Sequence, residues 1–253
     1  MANGNVQFGT DPLLTNVIAD ISQYMPSLFT ETFPVGRGTP RVDGVMSDGE
    51  WINAQRFDFP IDVSGAGTST ASVFVLHDNI NIYFAFKARS PAPRALVERQ
   101  VLFFLSFWSN ASEGPWPQKS SDELVFSKWD ASNPVGRNLI GPGRLDDWAY
   151  RSPCPLSSAP SYCGTRDTRF GGTIDGAGTS TVDDLEFVAE LWHPLRSADS
   201  ENDFQVRSGD TVGWSIDLLI SGTATDGSGT PNTRVQFPAM SGAQRTWLGL
   251  NLR

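Results

Sequence analysis

Over most of the chain, apolar and polar residues alternate with a period of two. In "NINIYFAFK", Ile80, Ile82, Phe84 and Phe86 fall on one side, while Asn81, Tyr83, Ala85 and Lys87 fall on the other. That spacing predicts a strand with one buried face. The runs "DELVFSKW", "DLEFVAELW", "DTVGWSIDLLI" and "TWLGLNL" add further alternating segments. "VLFFLSFW" is apolar on both sides, which predicts a central strand enclosed between layers. Turns rich in Gly, Asp, Ser and Pro separate these runs. Together they predict an all-β fold: a two-sheet antiparallel β-sandwich, jelly-roll-like, of roughly eight or more strands.

The hexapeptide "GAGTST" occurs twice, at Gly65–Thr70 and Gly176–Thr181. A phosphate loop would need a lysine or a helix N-terminus beside it, and neither copy has one. The flanking sequences do not correspond, so duplication is not indicated. The hexapeptide reads as turn chemistry that launches a strand. One helical pattern interrupts the β-signal: Pro12 suits a first turn, and Leu14, Val17 or Ile18, Ile21 and Tyr24 or Met25 recur at helical spacing up to Pro26. The Gly/Pro-rich "PVGRGTPR" then marks a boundary. The expected organisation is an arm with a short amphipathic helix at 1–38 and a β-sandwich binding domain at 39–253. Residues from about 132 to 184 are less regular and are expected to form long loops, where binding sites on a rigid sandwich commonly sit.

The 253 residues carry a net charge of −9, which repels phosphate backbones and argues against nucleic-acid partners. No run of about 20 apolar residues exists to span a membrane. The N-terminus lacks the basic then apolar layout of a secretory signal, so a signal was removed or export does not use one. Cys154 and Cys163 bracket a Pro/Ser-rich stretch that can close as a disulfide, which points to an oxidising compartment; two unrelated thiols are the alternative. The Asn110-Ala111-Ser112 sequon suits a surface loop.

The segments "VDGVMSDGEW", "SVFVLHDNINIYFAFKA" and "SSDELVFS" resemble the opening of family 9 carbohydrate-binding-like domains. "LEFVAELWHPLRSADSENDFQVRSGDTVGWSIDLLISG" with "RTWLGLNL" resembles the close of haem-binding subunits of ethylbenzene-dehydrogenase type. These groups and the DOMON cytochrome domains share a β-sandwich, and the resemblance covers roughly residues 40 to 253. Its motifs are mostly structural, so it implies fold more than function. Residue by residue, Asp43-Gly44 and Asp48-Gly49 read as turns, His77-Asp78-Asn79 as a hairpin turn, and Trp51 as a plug at one end of the sandwich.

A b-type haem would need two axial ligands facing one apolar pocket. His77, His193 and Met46 supply ligand types, but none matches a ligand position of the haem subunits, and no CxxCH is present. Calcium would find hard oxygens at Asp43, Asp48 and Glu50, or at Asp183 and Asp184, for which turn chemistry is the simpler account. No cofactor is therefore expected, with haem b and calcium as the alternatives. There is no GxSxG, no HExxH and no Ser-His-Asp order with only two histidines, so no enzyme is expected.

Sugar binding asks for flat aromatic faces flanked by carboxylates, amides and arginines. The candidates are Trp116, Trp129, Trp148 and Tyr150 with Asp147 and Arg151, in or beside the loop-rich middle. The expected function is a non-catalytic, surface-exposed carbohydrate-binding or adhesion module, its partner a glycan or cell-surface polysaccharide. A second reading starts from the arm, whose apolar face at residues 10–35 could dock on a protein partner or on another copy. The arm loosely resembles lead-in segments of phage capsid-associated proteins, which implies a virion decoration protein. The third reading is a haem-binding electron-transfer domain. The corresponding locations are extracellular or surface-exposed, with the periplasm or a virion surface as alternatives.

Overall fold

The computed structural model describes residues 31–253 apart from 64–66, 90–100, 109–120, 128–143, 152–162, 167–170, 174, 183–185, 201–202, 204, 222–230 and 239–246. Within it lie fourteen strands in two sheets and, among the described residues, no helix. The expected all-β, two-sheet fold is what forms. The helix expected within the arm falls outside the described residues.

The smaller sheet holds β2 (Gly36–Arg37), β3 (Gln55–Val63), β4 (Gly67–His77), β5 (Asn81–Arg89), β10 (Ala177–Val182) and β11 (Glu186–Pro194), in the order β10-β11-β5-β4. On the far side of β4, β3 pairs antiparallel with Gly67 to Val75, and β2 pairs parallel with Leu76 and His77. β2 and β3 therefore lie end to end along one edge. The chain between them, residues 38–54, is released to cross the sheet's outer face.

The larger sheet repeats this device. It comprises β1 (Thr32–Pro34), β6 (Val101–Trp108), β7 (Ser121–Ser127), β8 (Arg144–Arg151), β9 (Cys163–Arg166), β12 (Thr211–Ser221), β13 (Pro231–Phe237) and β14 (Leu248–Asn251). Its order is β1-β14-β12-β6-β7-β8-β9, and β13 follows β14 along the same side of β12. β6 lies between β12 and β7, the central position its two-sided apolar pattern predicts. Two pairings depart from the antiparallel expectation: β1 with β14 and β2 with β4 are parallel. Both belong to the segment assigned to the arm, so from Thr32 to Arg37 that segment is an edge strand of each sheet in turn. Such short edge strands cover exposed ladders.

Alternation explains the core. Phe57, Phe59 and Ile61 of β3, Val73 and Val75 of β4, Ile82, Phe84 and Phe86 of β5, and Phe187 and Leu191 of β11 are all buried on the inner face. They meet Trp214 and Ile216 of β12 and Leu248 and Leu250 of β14. Trp214 is fully buried, its ring 5.0 Å from Phe57 and 6.2 Å from Phe84. Ile80 does not join this face and is 71% exposed. The hairpin turn begins one residue too early for it: Asp78 Oδ1 accepts the N–H groups of Ile80 and Asn81, and Asn79 adopts φ +74°.

Two further expectations change. β5 is buried on both faces along its middle, because Tyr83 and Ala85 on the outer side lie under residues 42–54. The "GAGTST" copies are themselves strand: Gly67–Thr70 opens β4, and Ala177–Thr181 makes up most of β10. The stretch expected to be long loops likewise contains β8, β9 and β10. "RLDDWAYR" lacks clean alternation, and what makes it a strand is its ladder with β7.

Candidate functional site

The outer face of the smaller sheet carries the most distinctive chemistry among the described residues. Its ladders align side chains in rows, since directly paired residues point to the same face. One row is Leu76, Tyr83 and Trp192. The next is Arg56, Phe74, Ala85 and Glu190, and the one beyond is Asp58, Ser72, Lys87 and Val188. Over four residues along β4 and β5 the face thus passes from apolar to charged.

Residues 42–54 seal the apolar end. Trp51 is buried and packs with Leu76, Tyr83 and Ala85, and Val42, Met46, Phe74 and Trp192 border the cluster. Glu190 locks the cover down. Its Oε1 accepts the Trp51 indole N–H at 2.9 Å, and its Oε2 accepts the backbone N–H groups of Gly44 at 2.7 Å and Asp43 at 3.0 Å. Gly44 is required there. Its φ of +83° disfavours a side chain, and a Cβ would stand 2.9 Å from Cγ2 of Thr181. The Thr181 hydroxyl donates to the Gly44 carbonyl. Glu190 is fully buried, and burial pushes its carboxyl above the usual range against the pull of these three donors.

Where the cover stops, a cleft of about 660 Å³ opens. Ser72 and Phe74 form its floor, and the turn from Met46 to Ile52 forms one wall. Arg56, Ser69, Thr70, Lys87 and Arg89 line the remainder. The groups are already linked to one another: Asp58 Oδ1 pairs with Arg56 Nε at 2.9 Å and accepts the Ser72 hydroxyl at 2.5 Å, and the Arg56 guanidinium lies 5.4 Å above the Phe74 ring. Burial alone would raise Asp58, but the Ser72 hydroxyl and the Arg56 guanidinium outweigh it and hold the carboxyl below its ordinary value. Lys87 pairs with Glu186.

Of the residues singled out in the sequence, Trp51 is structural, as expected. Met46 is committed to the same cluster. Asp43 and Glu50 serve turns, accepting the N–H groups of Val45 and Ser47, and no group of three or more His, Cys, Asp or Glu among the described residues is placed to hold a metal. His77 and His193 flank Ile82 in one inner-face row, both fully buried. His77 Nε2 lies 3.2 Å from the Arg253 carbonyl, and His193 Nδ1 lies 2.7 Å from the Pro194 carbonyl.

Trp148, Tyr150, Asp147 and Arg151 lie on strand β8 rather than in a loop. Positions 148 and 150 fall on one face of that strand and positions 147 and 151 on the other. Tyr150 is paired with Gly164 and Arg151 with Cys163, across the short strand β9. Trp116, Trp129, Cys154, Asp183 and Asp184 lie outside the described residues, so the proposed Cys154–Cys163 pairing does too.

The cleft residues themselves were missed. The signal was present in "QRFDFPIDV", where Phe57, Phe59 and Ile61 alternate inward and Arg56 and Asp58 outward. What the sequence lacked was the pairing that sets Arg56 and Asp58 beside Phe74, Ser72 and Lys87.

No protein family and no curated protein matches the chain by sequence. Among solved structures it is similar to a family 9 carbohydrate-binding module (CBM9) from Caldicellulosiruptor kristjanssonii in complex with cellotriose. That match has 14% identity and a TM-score of 0.49, and covers 88% of this chain and 95% of the other. The same type of module in complex with glucose matches at 14% identity and a TM-score of 0.44, covering 88% and 97%. A Bacteroides uniformis protein provisionally titled carbohydrate-binding matches at 12% identity and a TM-score of 0.42, covering 87% and 98%. At these values the likeness adds nothing to the chemistry of the cleft, which stands on its own geometry.

Proposed function

We propose that this protein is a non-catalytic carbohydrate-binding module whose ligand enters the cleft on the outer face of the smaller sheet. The observation that carries the reading is the composition of that cleft. Ser69, Thr70 and Ser72 line it together with two guanidinium groups, an ammonium and a half-buried ring. A sugar presents hydroxyls that donate and accept at once, and such a mixed lining answers both roles. The Arg56, Asp58 and Ser72 network fixes these groups before any ligand arrives, which reduces the ordering cost of binding.

Two carboxylates on this sheet face, Glu190 and Asp58, are committed to structure. Glu190 is sealed beneath the cover with three donors, and Asp58 is held ionised by Ser72 and Arg56. No described helix is long and apolar enough to cross a membrane.

The test is gel retardation of the intact protein by a panel of soluble neutral and acidic polysaccharides. Retardation by at least one polymer is expected, weakened in Arg56→Ala and Ser72→Ala. Loss in Trp116→Ala with Trp148→Ala, and none in the cleft variants, would move the site to the β8 side. Absence of retardation by every polymer would end the carbohydrate reading.

A further inference from the structure

The protein is acidic overall, with 28 Asp and Glu against 19 Lys and Arg. The residues lining its cleft include Arg56, Lys87 and Arg89 and one acid, Asp48, with Asp58 and Glu186 beside it. Two of these cations have carboxylate partners, Arg56 with Asp58 and Lys87 with Glu186. Arg89 has no ion pair among the described residues, and it is exposed at the end of β5 on the same face as Lys87, two residues away. We propose that the cleft selects acidic glycans, with a ligand carboxylate taken by Arg89 and supported by Lys87; this rests on the carbohydrate reading and narrows it.

The chemistry is specific to a guanidinium. Its planar fork matches a carboxylate with two parallel hydrogen bonds, and it stays charged at every physiological pH. Ser69 is positioned beside it, because the Ser69 hydroxyl donates to the Arg89 carbonyl at 2.5 Å and ties the β5 end to β4. Lys87 is less exposed and tied to Glu186, so it contributes field more than direct contact. Arg89 thus offers a ligand carboxylate an exposed guanidinium that holds no ion pair among the described residues, whereas Arg56 and Lys87 already hold Asp58 and Glu186.

The experiment measures binding of the intact protein to polygalacturonate, to the same polymer fully methyl-esterified, and to a neutral β-glucan, each at low and moderate salt. Binding to polygalacturonate that weakens with salt and is lost on esterification supports the proposal. Arg89→Gln should then lower affinity roughly tenfold, the effect of removing one charge-assisted contact, and Arg89→Lys should restore part of it. Because Arg89 is exposed, neither substitution threatens the fold. Equal binding to the acid and ester forms, or binding to the neutral glucan alone, overturns the acidic preference and leaves the carbohydrate reading standing. Binding to none of the three overturns the proposal, and the broader panel then decides the carbohydrate reading separately. Unchanged polygalacturonate affinity in Arg89→Gln also overturns it.

Discussion

The two ends of one sheet face make an instructive contrast. At the end holding Leu76, Tyr83 and Trp192, residues 42–54 fold back as a cover, and Trp51 and Glu190 fasten it. At the end holding Asp58, Ser72 and Lys87, the turn from Met46 to Ile52 only borders a cleft, and the polar side chains satisfy one another, Ser72 and Arg56 on Asp58 and Lys87 on Glu186. Both ends are built from the same β3, β4, β5 and β11 ladders. What separates them is the polarity of the outward residues: apolar rows must be covered, whereas charged rows are stable in water and stay available to a ligand. The fold devotes one half of the face to stability and leaves the other half to recognition.

The largest break in this contrast should come from Trp51→Ala. It leaves a cavity over Leu76 and Tyr83 and removes one of Glu190's three donors. A loss of about 3–5 kcal/mol in urea unfolding is expected, as for other buried aromatic truncations. Glu190→Gln should cost less, about 1–3 kcal/mol, because an amide has a single oxygen for three N–H donors and must turn its own NH₂ toward at least one of them. A variant as stable as the parent would show that hydrophobic packing alone holds the cover.

A pH effect follows from His77. Burial depresses its pKa, outweighing the Arg253 carbonyl, and the nearby Arg37 charge depresses it further; Nδ1 has no hydrogen-bond partner among the described residues. The folded state therefore binds a proton less readily than the unfolded chain. Stability from this residue is intact above the ordinary histidine value of about 6.5 and declines as pH falls below it. Denaturation between pH 7.5 and 5 should show this decline, and His77→Asn should show a shallower one. The smallest stability effect belongs to the open half: Asp58→Asn should change unfolding by less than about 1 kcal/mol, as for exposed ion pairs. The same substitution removes the charge paired with Arg56 and leaves its Ser72 and Phe74 contacts, so it should alter glycan binding without altering the fold.

Much of the fold was legible because buried strands must alternate or run continuously apolar. β5, β11, β12 and β14 each follow from their own residues, as do the hairpin turn at Asp78 and the buried role of Trp51. Strands set by their partners were not legible. β8 has no clean period, and the second "GAGTST" forms β10 only because β11 lies beside it. The cleft was hidden for the same reason. Arg56 and Phe74 are 18 residues apart in sequence, and only the β3–β4 register places them side by side. Nor did the pattern of β5 foretell that its outer face would be covered, since the cover comes from a segment whose sequence reads as turns.

The most direct measurement is chemical-shift mapping of the labelled protein during titration with a glycan that binds. The account predicts that shifts concentrate at Arg56, Ser72, Phe74, Lys87 and Arg89 while Leu76, Tyr83 and Ala85 under the cover stay in place. Shifts confined to the β8 and β9 strands, or spread through the covered cluster with the cleft silent, would contradict it.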